Sequence, residues 1–107
     1  GVLVPAGQFR LLSGIPKVYV KTAESGRARA LAFCAECGTS LYGTSPTDPK
    51  EYSLRLGTAR QRAQLAPTVQ IWAGEAMPWL SALASMPSVE RQTGRPTLPV
   101  NPPRQPE

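Results

Sequence analysis

The segment Phe33-Cys34-Ala35-Glu36-Cys37-Gly38-Thr39 contains the only two cysteines of this 107-residue chain, which has no histidine. Thiolates at Cys-x-x-Cys spacing can bind one metal ion from the same side, and the glycine that follows permits the sharp backbone turn this requires. A closed zinc site takes four ligands, nearly all of them sulfur or imidazole nitrogen. The chain supplies two such donors. Either the motif is half of a zinc site whose other ligands lie elsewhere, or it is not a metal site.

Strand-like sequence surrounds this segment on both sides. Residues 17–23 contain a run of β-formers, residues 24–26 have the composition of a turn, and residues 27–33 return with alternating apolar side chains. This pattern predicts a β-hairpin whose second strand delivers Cys34 and Cys37 to the next turn. Residues 39–43 are then expected to leave that turn as a further strand.

The rest of the chain also favours short strands joined by Gly- and Pro-containing turns. Residues 1–16 have the composition of an irregular or edge segment, and residues 52–56 alternate as a half-buried strand does. Residues 69–72 predict another strand, whereas residues 59–66 and 78–84 predict short helical turns. The expected fold class is therefore mainly β.

Length and composition indicate one domain at most. The apolar content of 41% is enough for a small core. From Gly94 onward five of fourteen residues are proline, and large apolar side chains are nearly absent. We therefore expect a zinc-binding β domain over residues 1–93 and a Pro-rich extended tail over residues 94–107.

The charge balance favours anionic partners in a general way. Twelve Lys and Arg residues oppose seven Asp and Glu residues, for a net charge of +5. The basic residues are scattered, which disfavours a dedicated nucleic-acid-binding arm. No apolar run approaches the roughly 18 residues of a membrane span, so no membrane association is expected. Two cysteines do not make a disulfide scaffold, and a reducing cytoplasm is the expected location.

Two other interpretations of Cys34 and Cys37 stay open at this point. The pair could be small buried hydrophobic residues or a local disulfide, or it could be a thioredoxin-like redox pair. Redox chemistry of that kind depends on a cysteine at a helix N-terminus, where the thiol pKa is lowered. The residues that follow Cys37 are poor helix formers, so half of a zinc site is the favoured interpretation.

Four segments, taken in order and spacing, resemble the later part of the glutathione-dependent formaldehyde-activating family, over residues 17 to about 90. They are Phe33-Cys34-x-x-Cys37-Gly38-Thr39-x-Leu41-Tyr42, Leu56-Gly57-Thr58, Val69-Gln70-Ile71-Trp72 and Met77-Pro78-Trp79-Leu80.

The resemblance implies a zinc-binding β fold of the Mss4-like type, incomplete at its N-terminus in this sequence. In that family an earlier Cys-x-Cys joins the later Cys-x-x-Cys, here Cys34 and Cys37, in a closed structural zinc site. An intermediate cysteine loop holds a second, more open zinc that the family's proposed chemistry uses. Both earlier motifs are expected upstream of Gly1, so the resemblance assigns no catalytic residue in this chain.

The activity that the resemblance implies is that of a carbon–sulfur lyase or synthase. It joins glutathione and formaldehyde into S-hydroxymethylglutathione, so the expected partner is a small thiol such as a glutathione adduct and the expected cofactor is zinc. Where the family often has a histidine before Ile-Trp, this sequence has Gln70. The alternative is a non-catalytic zinc-knuckle module that binds a partner or nucleic acid, in which two chains pool Cys34 and Cys37 in a homodimer.

A few further side chains invite functional interpretations. Trp72 is expected to pack in the core, as large aromatic residues in strands usually do, while the sequence leaves Trp79 undecided. Arg55, Arg60 and Arg62 could bind the carboxylates of a glutathione-like peptide, although such residues are more often exposed charges.

Overall fold

The structure is a computed structural model that describes residues 1–92, so the predicted tail at residues 94–107 lies outside the described residues. The chain divides into two compact units. The first is Gly1–Ala66, and the second begins at Pro67.

The first unit is built on one antiparallel sheet of five strands, which confirms the mainly β prediction. The strand order across the sheet is β1-β5-β4-β3-β2. The strands are β1 (Val2–Pro5), β2 (Lys17–Thr22), β3 (Ala28–Phe33), β4 (Ser40–Thr44) and β5 (Glu51–Leu54).

The hairpin predicted around residues 24–26 is present as β2 and β3. The two strands pair without interruption from Lys17 opposite Phe33 to Thr22 opposite Ala28. Gly26 has a φ of 85°, a conformation that costs glycine little, and its N–H donates to the Ala23 carbonyl at 2.9 Å. The turn chemistry of the sequence therefore sets the hairpin register, as expected from its position between two β-forming segments.

The best-buried part of the first unit lies on one face of β3 and β4. Ala30 and Ala32 are buried, and Thr44 is buried beside them because it pairs directly with Ala30. The Thr44 hydroxyl donates to the Glu51 carbonyl at 2.7 Å, so its burial leaves the hydroxyl satisfied. This small core holds the two central strands that lead into and out of the cysteine turn.

An aromatic cluster covers the neighbouring part of the same face. Phe9 stacks on Tyr52 with ring centroids 4.2 Å apart and meets Tyr42 edge-on at 5.1 Å. Tyr42 and Tyr52 meet edge-on at 5.3 Å. Burial, and to a lesser degree the neighbouring Tyr52, raises the pKa of Tyr42. Stacking therefore holds the segment after β1 against the sheet, in a stretch whose sequence predicts an irregular or edge segment.

The second unit corrects two predictions. Residues 69–72 are not a strand: residues 65–70 have no regular secondary structure, and Trp72 is left-handed, with φ 58°. Val69, Ile71 and Trp72 are 75%, 77% and 65% exposed, so the prediction that Trp72 packs in the core is also wrong. A β-propensity pattern forms a strand only where a neighbouring strand accepts its backbone hydrogen bonds, and this segment pairs with none in the described part of the chain.

The predicted helical segments are present as 3₁₀ turns. Arg62–Gln64 lies inside the predicted segment 59–66, and Leu80–Ser85 overlaps the predicted segment 78–84. Trp79 immediately precedes the second of these turns and is exposed. Within residues 1–92, every helix is too short or too polar to cross a bilayer.

Replacing Phe9 by alanine tests the role of the aromatic cluster. Phe9→Ala removes both ring contacts from a half-buried position and should lower the free energy of unfolding by about 2 kcal/mol. Urea denaturation followed by tyrosine fluorescence measures this change. Leu12→Ala is the control, because Leu12 is 80% exposed and its truncation should cost less than about 0.5 kcal/mol. Equal effects of the two variants would contradict the cluster's role.

Candidate functional site

The turn between β3 and β4 positions both cysteines. The Cys34 N–H donates to the Thr39 carbonyl at 2.8 Å, and the Gly38 N–H donates to the Cys34 carbonyl at 2.8 Å. Gly38 has a φ of 78°, a left-handed conformation that glycine adopts without the clash an L side chain would meet. The sequence Cys-x-x-Cys-Gly thus forms a tight turn with its own hydrogen bonds, anchored at each end by a paired strand.

Both cysteines are free thiols. Cys34 is half-buried and Cys37 is exposed, so the local-disulfide interpretation is wrong for this structure. The element that follows the turn is strand β4. Because no helix begins at either cysteine, no helix dipole acts on the thiols, and the redox interpretation lacks the geometry on which it depends.

Thr39 sets the chemical character of Cys37. The Cys37 Sγ and Thr39 Oγ1 atoms are 3.1 Å apart. Hydrogen bonding from the Thr39 side chain lowers the pKa of Cys37, with further contributions from the Thr39 backbone and the Cys34 side chain. The thiolate is the form of cysteine that binds metals and attacks soft electrophiles, so this environment favours the reactive form.

A shallow cleft of about 280 Å³ lies beside Cys34. Its walls come from the segment before β2, from the cysteine turn and from the start of β4, and they are mainly apolar. The residues that form most of this lining are Leu11, Ile15, Pro16, Cys34, Glu36 and Leu41.

A β-bulge places Leu41 in that cleft. Ala32 pairs with Tyr42 but Phe33 pairs with Ser40, so Leu41 is the extra residue between them. The Leu41 carbonyl accepts a hydrogen bond from the Arg55 N–H at 2.9 Å, so the bulge stays tied to the chain beyond β5. Bulges of this kind redirect side chains next to sites. The period-2 pattern of residues 39–43 carries no signal for it, and sequence reasoning therefore missed both the bulge and the cleft.

The donor set around the turn is partial. Among residues 1–92, no group of three or more Cys, Asp or Glu side chains is arranged to hold a metal ion. Cys34 and Cys37 fit a zinc ion in residue type, since both are free and share one turn. They supply two ligands, and the remaining ligands of a closed site have to come from outside this set.

The arginines considered in the sequence lie outside the cleft lining. Arg55, Arg60 and Arg62 are exposed, and Arg62 donates from Nη1 to the Ala59 carbonyl at 3.1 Å. Gln70 is exposed and belongs to the second unit. The structure thus brings together Cys34, Cys37 and Thr39, and it does not bring these arginines to them.

Comparison with known proteins finds a match to one family model. The family model described as "Glutathione-dependent formaldehyde-activating enzyme" matches residues 1–75, which include the whole sheet and the cysteine turn. No curated protein and no solved structure matches the chain.

Gly38 provides a direct test of the turn. Gly38→Ala forces an L side chain into the left-handed region and should lower the free energy of unfolding by about 1–2 kcal/mol. Gly7→Ala is the matched control: Gly7 has no neighbour within 4 Å of an added Cβ, and its φ is not positive. That change should be neutral or slightly stabilising. A Gly38→Ala protein as stable as Gly7→Ala in urea denaturation would contradict the turn geometry.

Proposed function

This chain belongs to the glutathione-dependent formaldehyde-activating enzyme family, and we propose on that premise that Cys34 and Cys37 hold one half of a structural zinc site. The observation that supports the proposal is the pair of free thiols in one glycine-closed turn between paired strands. Zinc bound there would link β3 to β4 and to whatever contributes the remaining donors. Such a metal supplies folding free energy directly.

The remaining donors define two versions of the site. In the first, a Cys-x-Cys elsewhere in a longer protein completes the four-sulfur site, as the family resemblance implies, and the domain has the Mss4-like zinc-binding fold. In the second, Cys34 and Cys37 of two copies meet at one ion, so that metal binding and dimerisation are one event. The exposure of Cys37 leaves its sulfur accessible to a donor from either source.

The proposed activity is carbon–sulfur bond formation and cleavage on a glutathione–formaldehyde adduct. The thiol sulfur adds to the carbonyl carbon of formaldehyde, one C–S bond forms, and the proton moves to the former carbonyl oxygen to give S-hydroxymethylglutathione. The reverse step restores the thiol and the aldehyde. No oxidant or reductant is needed. An open metal site with ligands from outside the cysteine turn would supply Lewis-acid polarisation or thiol activation.

In that activity, the role of this chain is to hold the substrate near the cysteine turn. The cleft beside Cys34, at about 280 Å³, is close to the roughly 300 Å³ lower limit of small-molecule sites. Its apolar walls, including Leu41, exclude water from one side of a bound thiol adduct. Free cysteines agree with the reducing cytoplasm that we propose as the location.

A non-catalytic role is the second candidate, and one observation favours it. The chain has two thiol donors and no histidine, so a zinc knuckle shared with a partner uses every cysteine of the chain. In that case the metal joins two surfaces and no reaction follows.

Zinc content tests the ligand role. If two copies share the site, we expect the 107-residue chain, purified in zinc-containing buffer, to bind one zinc per two chains, measured by elemental analysis. If the other donors lie in a longer protein, we expect one zinc per chain once a peptide carrying a Cys-x-Cys is added. Cys34→Ser should abolish this binding and lower the melting temperature by about 5 °C or more, because losing about 1 kcal/mol shifts a domain of this size by that amount.

The control for that experiment is Ala35→Ser, which adds a hydroxyl to the same exposed turn and keeps both sulfurs. It should retain zinc and the wild-type melting temperature. Gel filtration with and without a chelator separates the two versions. Loss of a dimer on chelation supports the shared site, and a monomer that retains zinc only with the Cys-x-Cys peptide supports donors from a longer protein. Absence of zinc from the wild-type chain, both alone and with the Cys-x-Cys peptide, would overturn the ligand role.

The lyase activity has its own assay. Formation of S-hydroxymethylglutathione, followed by NMR of labelled formaldehyde and glutathione, should be accelerated about 100-fold over the uncatalysed reaction by a longer protein that carries the open zinc as well as the structural one. Leu41→Ala should raise KM about fivefold through lost apolar contact in the cleft, whereas Leu12→Ala, outside the lining, should not. Occupancy of both zinc sites without acceleration would remove the catalytic proposal and leave the interaction module.

A further inference from the structure

The turn end of the β2–β3 hairpin carries cations that oppose one another. Lys21 pairs directly with Arg29 in the antiparallel register, so the two side chains share a face of the sheet. Like charges placed opposite each other in this way are destabilising. Among residues 1–92 the single ion pair joins Lys50 to Asp48. No carboxylate in that range therefore neutralises Lys21, Arg27 or Arg29, and the nearby Glu24 forms no ion pair either.

A second cleft lies at this end of the hairpin, with a volume of about 280 Å³. We call it the hairpin cleft. Its lining contains no carboxylate and combines two guanidinium groups with two hydroxyl-bearing side chains. The residues that line it are Arg27, Ala28, Arg29, Ser45, Pro46 and Thr47.

The walls of the hairpin cleft are held in place by local contacts. The Ser45 hydroxyl donates to the Thr47 carbonyl at 2.8 Å and accepts from the Thr47 N–H at 3.4 Å, which closes the loop after β4. Arg29 is half-buried, and its Nη2 lies 3.5 Å from the position that a Cβ on Gly43 would occupy. The guanidinium therefore rests against the backbone of β4 and does not extend freely into solvent.

This cleft is separate from the cysteine turn. The hairpin runs from Phe33, next to Cys34, to Ala28 at the opposite end. Five residue steps of about 3.3 Å place these ends about 16 Å apart. A ligand of the hairpin cleft is therefore not in contact with the thiols, and the inference does not depend on zinc or on lyase activity.

We propose that the hairpin cleft binds the oxyanion of a small molecule, a phosphate or carboxylate group. Arg27 and Arg29 present planar forks that match two oxygens at a time, and Lys21 adds a point charge on the same face as Arg29. The anion removes the repulsion between Lys21 and Arg29. Because several cations converge, a phosphate binds more tightly than a single carboxylate, and the volume leaves room for the group that carries it.

Titration with inorganic phosphate at constant ionic strength, followed by amide shifts in two-dimensional NMR of the full chain, tests the site. Saturable shifts are expected at residues 27–29 and 45–47. Acetate should move the same amides with weaker affinity, and an acetate response stronger than that of phosphate would identify a carboxylate ligand instead. The double variant Arg27→Gln/Arg29→Gln should weaken phosphate binding about tenfold or more, because charge-assisted hydrogen bonds are lost.

Arg60→Gln is the matched control, since it removes one exposed arginine outside the cleft and should leave the affinity unchanged. Arg27→Gln alone, at an exposed side chain, keeps the test valid if the half-buried Arg29 is needed for folding. Shifts that never saturate, that spread over all basic residues, or that persist in the double variant would overturn the proposal. The proposals on zinc binding and lyase activity do not depend on the outcome of this titration.

Discussion

Two backbone hydrogen bonds, from the Cys34 N–H to the Thr39 carbonyl and from the Gly38 N–H to the Cys34 carbonyl, close the turn between β3 and β4. They require the left-handed conformation of Gly38. With the turn closed, the central strands pair and bury Ala30 and Ala32. The same turn carries both cysteines, and the Cys34 side chain hydrogen-bonds to Cys37, so the fold and the candidate chemistry depend on one turn.

The bulge beside this turn links the sheet to the cleft. Without an extra residue, Leu41 would take its place in the ladder opposite Phe33, and its side chain would follow the ordinary alternation of β4. As the unpaired residue of the bulge, Leu41 lines the cleft next to Cys34. A small irregularity in pairing thus supplies the apolar wall against which a thiol adduct is proposed to bind.

The β2–β3 hairpin separates two kinds of chemistry along one ribbon. Its Phe33 end is followed by the two cysteine thiols, whereas the cationic side chains of Lys21, Arg27 and Arg29 lie at its Ala28 end. Paired strands keep these ends about 16 Å apart. A sheet with a small core can maintain this separation because its backbone ladder, rather than extensive side-chain packing, sets the distance.

The sequence alone determined the β2–β3 hairpin and the strand after the cysteine turn, because turn residues and alternating apolar side chains act locally. The order and spacing of its motifs also identified the family. The tertiary structure decided where pairing stops. Residues 69–72 have the composition of a strand but no neighbouring strand, so Trp72 is exposed, and nothing in its local pattern could reveal that. The Leu41 bulge, the stacking of Phe9 on Tyr52 and the presence of Arg29 and Ser45 around one cleft depend on how distant segments pair. That pairing is set across the whole sheet.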